Sequence, residues 1–95
     1  MSLKNYLNED NINRCVKLRG IPYIATQVDV KKFFTDANFS VNDDDIVIEM
    51  RQGKKTGFAL VFLNGEEEVQ RAHQDLNKKY IGNRFIDVLV PRIEE

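Results

Sequence analysis

The stretch Lys54-Lys55-Thr56-Gly57-Phe58-Ala59-Leu60-Val61-Phe62-Leu63 decides how the rest of the chain is read. Two cations and a glycine lead into an unbroken apolar run. The run is too short to cross a membrane and rich in the β-branched and aromatic types that suit a pleated sheet. Side chains alternate along a strand, so Ala59, Val61 and Leu63 share one face and Phe58, Leu60 and Phe62 the other. The first face is expected to meet a core. The second carries rings and is expected to be uncovered.

Upstream, residues 52–57 form a glycine-bounded, doubly basic loop, rich in hydrogen-bond donors. Before it, residues 46–51 alternate Ile46, Ile48 and Met50 against Val47, Glu49 and Arg51, a strand period. Residues 39–45 are a turn-rich acidic connection. Residues 26–37 predict a helix, with Thr26 as N-cap, Asp29 in the first turn, and Val30, Phe33, Phe34 and Ala37 on one face. Gly20-Ile21-Pro22-Tyr23 is a break, because Pro22 lacks an N–H and restricts Ile21. Residues 14–19 are a strand with Val16 and Leu18 on one side and Cys15, Lys17 and Arg19 on the other. Residues 1–13 are polar and expected to be a mobile leader, although Tyr6 and Leu7 could dock.

Downstream, residues 64–76 predict a second helix. Asn64 is the expected N-cap, and Glu66, Glu67 and Glu68 sit where the helix dipole favours negative charge. Its buried stripe is expected at Val69, Ala72, His73 and Leu76. Tyr80-Ile81 is a short strand, Gly82-Asn83 a tight turn, and residues 84–90 the last strand, with Ile86, Val88 and Val90 inward. Pro91 ends it, and residues 92–95 are a tail. The order strand, helix, strand, strand, helix, strand is that of an α+β, ferredoxin-like β-α-β-β-α-β fold, a four-stranded antiparallel sheet backed by two helices.

With 95 residues the chain is the size of one domain, and 42% hydrophobic with 31% charged residues is globular. A formal net charge of −1 supplies no general field for a polyanion, so cations must be sorted onto one face to bind one. The lone Cys15 can close neither an intrachain disulfide nor a zinc site, and packing is its expected role. No membrane-spanning run, signal peptide or lipidation motif is evident.

Enzymatic groups are thin. The one imidazole, His73, lies in a helix without a partnered cleft, and no P-loop, paired-His motif or nucleophile elbow occurs. Asp43-Asp44-Asp45 lacks the alternate spacing of a calcium loop. No cofactor or metal is expected. A binding surface has more support. Lys17, Arg19, Phe58, Leu60 and Phe62 share the uncovered sheet face, with Tyr23, Lys54, Lys55, Arg84 and Phe85 around it. Rings stack on bases, and cations meet phosphates.

The order Thr56-Gly57-Phe58-Ala59-Leu60-Val61 is similar to the central-strand signature of an RNA-recognition motif, with Thr56 in place of a base and Leu60 in an aromatic slot. Cys15-Val16-Lys17-Leu18-Arg19-Gly20-Ile21-Pro22-Tyr23 and Ile81-Gly82-Asn83-Arg84-Phe85-Ile86-Asp87-Val88 resemble the quasi-RNA-recognition motifs of the heterogeneous nuclear ribonucleoprotein H/F family. Lys17 stands where ordinary motifs usually have an aromatic, as in the quasi class. The resemblance implies a non-catalytic RNA-binding domain that takes single-stranded, guanine-rich RNA through loops. It implies pre-mRNA processing, in the nucleus and also the cytoplasm. The contacts it implies are Arg19, Tyr23, Lys54 and Phe85. Lys54 replaces an arginine, Phe85 a tyrosine and Phe58 a glutamate, so loop and sheet binding both stay open. Other RNA-processing proteins are expected as partners, a membrane is not, and the domain is expected to be monomeric. The competing reading is a protein-interaction domain of the same fold. Arg84 directly before Phe85, and Lys31 and Lys32 in the first helix, count against it.

Overall fold

The computed structural model describes residues 6–91. Residues 1–5 and 92–95, part of the expected leader and the whole expected tail, lie outside it. In chain order the elements are β1 (Cys15–Arg19), α1 (Gln27–Thr35), β2 (Ile46–Arg51), β3 (Lys54–Phe62), α2 (Glu66–Leu76), β4 (Tyr80–Ile81), β5 (Arg84–Phe85) and β6 (Asp87–Leu89). An antiparallel four-stranded sheet runs β2-β3-β1-β6, and β4-β5 is a separate hairpin.

The two helices cover one face of this sheet. Val16 and Leu18 from β1, Ala59 and Val61 from β3, and Ile86 and Val88 meet Val30 and Phe34 of α1 and Val69, Ala72 and Leu76 of α2. Each large side chain fully withdrawn from water here contributes roughly 1.5–3 kcal/mol. Phe34 is the aromatic centre, edge-on to Phe33 and Phe39 with centroids 5.7 and 5.8 Å away. Phe39 and Val41, from the connection read as merely acidic, are core residues. Thr26 caps α1 as expected, its backbone N–H donating to the Asp29 carboxylate at 2.8 Å. Among the described residues no helix is long and apolar enough to cross a membrane.

Several expectations are corrected. The N-cap of α2 is Gly65, and Asn64 lies one residue earlier, donating to Glu68. His73 leaves the buried stripe: it is exposed, and its Nδ1–H meets the Val88 carbonyl at 2.6 Å, tying α2 to β6. The last strand is split in two. Arg84 and Phe85 pair with β4, Asp87–Leu89 pairs with β1, and Val90 is exposed beyond the ladder. In β2 the register shifts between Ile48 and Met50, so Glu49 turns inward and Met50 outward. Glu49 is not left bare, because the Thr56 hydroxyl donates to it at 2.7 Å.

The other sheet face differs most from expectation. Cys15, Leu60 and Phe62 are buried there, with Leu7, Val47 and Phe58 packed against them. The Arg14 guanidinium lies 5.2 Å from the centroid of the Phe62 ring. Residues 8–11 close a turn through Asn8 and Asn11, Ile12–Arg14 add a short 3-10 turn, and Leu7 seats on the strands. This part of the expected mobile leader is therefore docked. The physical reason is that Leu60, Phe62 and Cys15 form an apolar strip that Leu7 can shield from water.

Candidate nucleic-acid interface

The β1–α1 loop and the β4–β5 hairpin converge on strand β3 at one end of the sheet. The β1–α1 loop begins with Gly20 and Ile21, whose N–H groups both donate to the Gly57 carbonyl of β3 at 3.0 Å. Gly20 has φ +98° and lies so near the β4–β5 hairpin that an added Cβ would stand 3.0 Å from the Phe85 carbonyl. Pro22 touches the same hairpin, 4.0 Å from the place of a Cβ on Gly82. Lys55 completes the closure. Its Nζ donates to the carbonyls of Tyr23 at 3.1 Å and Ala25 at 2.6 Å.

These contacts explain the exposure of the rings. With the backbone of the β1–α1 loop bound from below, Tyr23 is 69% exposed and its neighbour Ile24 86%. Phe85 is 51% exposed, its ring edge-on to Tyr80 at 6.4 Å. The Lys78 ammonium sits 4.9 Å from the Phe85 centroid. Arg19, at the end of β1, pairs across the sheet with Asp87 of β6: Nε donates to Oδ2 at 3.0 Å, and the Nη2–Oδ2 separation is 2.9 Å. Lys78 binds the other carboxylate oxygen, Oδ1. The two cations hold the Asp87 carboxyl below its ordinary range, Lys78 contributing most.

The sequence-expected residues thus divide into groups. Arg19, Tyr23 and Phe85 are exposed on elements whose backbones close on one another. Lys55 belongs to this loop rim as a brace for its backbone. Lys17 and Phe58 sit together on the sheet face, with the Lys17 Nζ 4.7 Å from the Phe58 centroid. Lys54 and Arg84 are exposed in the two hairpins. Both basic residues expected in a loop belong to β3. The β2–β3 turn is only Gln52-Gly53, both at positive φ, so the ladder continues through Lys54 and Lys55. Neighbouring strand residues point to opposite sides, so Lys54 does not share the task of Lys55. Leu60 and Phe62, expected on an open platform, are beneath Leu7.

Two residues at this rim were not singled out from the sequence, Lys78 and Asp87. The Lys78-Lys79 pair ahead of Tyr80 was the available clue to the first. Nothing in the local pattern marks Asp87, because its partners come from β1 and from the segment after α2.

Residues 16–95 match the RRM domain family. The chain is 31% identical over 74 residues to G-rich sequence factor 1 of Homo sapiens, covering 77% of this chain and 15% of that protein. It is 34% identical over 74 residues to heterogeneous nuclear ribonucleoprotein H2 of Homo sapiens, covering 77% of this chain and 16% of that protein. It thus spans about one-sixth or less of the curated relatives it matches. The crystal structure of the Glorund qRRM2 domain superposes with a TM-score of 0.72 at 29% identity, over 83% of this chain and 89% of that one. The helix-backed β2-β3-β1-β6 sheet and the match along residues 16–95 agree, and the chain belongs to the RRM domain family.

Proposed function

We propose that this chain is a non-catalytic module that binds single-stranded, guanine-rich RNA through its loop rim, as a monomer. Tyr23 and Phe85 stack on bases, Arg19 faces the O6 and N7 acceptors of guanine, and Lys54 and Arg84 meet phosphates. Lys55 acts on the RNA indirectly, by holding the loop that carries Tyr23. Lys17 and Phe58 form a secondary contact at the margin of the sheet. The domain of residues 14–91 is the RNA-binding unit. Pre-mRNA processing in the nucleus, and also in the cytoplasm, is the setting this reading fits, with other RNA-processing proteins as partners.

The observation that carries this reading is the closure of the β1–α1 loop on strand β3 and the β4–β5 hairpin, with Tyr23 and Phe85 left uncovered. The filled sheet face supports the rim as the primary surface, since Leu60 is fully buried and the Phe62 ring is nearly so. The names of two relatives, a G-rich sequence factor and a nuclear ribonucleoprotein, support the choice of RNA. An amide-shift titration with short G-tract and U-tract RNAs at stated salt tests it. Expected are shifts at Arg19, Tyr23, Lys54 and Phe85, larger with the G-tract. Shifts confined to Lys17 and Phe58 would move the site to the sheet, and no shifts with either RNA would end the proposal.

A further inference from the structure

Asp87 has no role in the stacking and phosphate contacts proposed above, yet it is far more shielded than the two cations that bind it. Its side chain is 13% exposed, against 53% for Arg19 and 60% for Lys78. The carboxylate lies behind and the two cations in front. Arg19 spends one edge of its guanidinium, Nε and Nη2, on Asp87 Oδ2. The planar fork has a second edge, made by Nη1 and the remaining N–H of Nη2, with two parallel donors. Lys78 fixes the same carboxylate from the other side while lying over the Phe85 ring. One acidic residue thereby orients a guanidinium beside an exposed aromatic ring.

We propose that Asp87 is a positioning residue for base discrimination: it holds Arg19 so that the free edge of the guanidinium reads a guanine presented beside Phe85. This rests on the rim reading of the preceding subsection. Guanine offers O6 and N7 as adjacent acceptors that a bidentate fork matches and uracil does not. An unheld arginine would still attract phosphates but would sample many orientations. Asp87 therefore lowers indiscriminate attraction to RNA and raises selectivity. A carboxylate kept only for stability would affect all RNAs alike.

Binding of G-tract and U-tract RNA to the full chain is compared across a salt series for wild type, Asp87→Asn, Asp87→Glu and Lys78→Ala. In Asp87→Asn the G-over-U ratio is expected to fall about tenfold. U-tract affinity is expected to hold or rise, with a salt dependence steeper by about 0.7 as Lys78 becomes available to a phosphate. Asp87→Glu is expected to recover most of the ratio. Lys78→Ala is expected to weaken both RNAs equally and keep the ratio. Without RNA, the Arg19 Nε–H signal should exchange slowly in wild type and fast in Asp87→Asn. A ratio unchanged in Asp87→Asn, or a ratio lost equally in Lys78→Ala, overturns the positioning role while leaving rim binding intact. A wild-type chain that binds both RNAs equally overturns the guanine reading and this inference together. Melting curves identify any variant whose binding loss is a loss of fold, and the Arg19 signal then decides the point alone.

Discussion

Tyr23 and Phe85 are exposed rings whose side chains the protein does not need for its core, so their truncation separates binding from folding. Tyr23→Ala and Phe85→Ala should each weaken G-tract binding by about 1–3 kcal/mol if a base stacks there. Melting temperatures should move little, and calorimetry of binding beside a melt checks both. Asp87 has a folded pKa below its ordinary 3.8, because Lys78 and then Arg19 favour the carboxylate. A depressed carboxyl stabilises the fold above its unfolded pKa and loses that contribution as pH falls through the folded value. The acid limb of a stability–pH curve should therefore shrink below about pH 4 in Asp87→Asn. Cys15 behaves oppositely in kind. Burial pushes its thiol up to about 12, so it should stay unreactive toward thiol reagents at pH 8 while the protein is folded. Rapid labelling of the native chain would show that the strip around Cys15 opens.

At the scale of elements, the rim is a product of backbone closure rather than of its rings. Lys55 donates to two carbonyls of the β1–α1 loop, and no other side chain among the described residues bonds them. Lys55→Met should keep the fold, because the sheet ladder does not use the ammonium. It should lower RNA affinity by loosening Tyr23, and the loop amides should gain fast-timescale mobility by relaxation measurements. Gly20 is held twice over, by φ +98° and by the Phe85 carbonyl. Gly20→Ala should destabilise the domain by about 1–3 kcal/mol, read by denaturant unfolding, since a side chain there is strained in conformation and in space. The split between β5 and β6 matters at the same scale. It turns Arg84 and Phe85 out to their own hairpin and leaves Asp87 opposite Arg19.

For the molecule as a whole, the second cluster gives the sheet a smaller buried patch on the face away from the helices. Leu7→Ala should cost about 1 kcal/mol by unfolding in denaturant, the value of a partly buried leucine, and should raise the labelling rate of Cys15. Much of this architecture could be read from residues alone. Gly57 and the run after it locate the central strand, and its parity correctly divides Ala59, Val61 and Leu63 from Phe58, Leu60 and Phe62. Thr26 and Asp29 mark the start of α1. Periodicity carries this information because a strand or helix face is decided by neighbours a few residues away. It could not say that Leu7 covers Leu60 and Phe62, that Lys55 braces the loop of Tyr23, or that Asp87 holds Arg19. The sequence by itself determined the order of the main strands and helices and the face of the sheet that the helices cover. Only the tertiary structure decided which end gathers the exposed rings of Tyr23 and Phe85, because the contacts that close it join residues tens of positions apart, which no local pattern encodes.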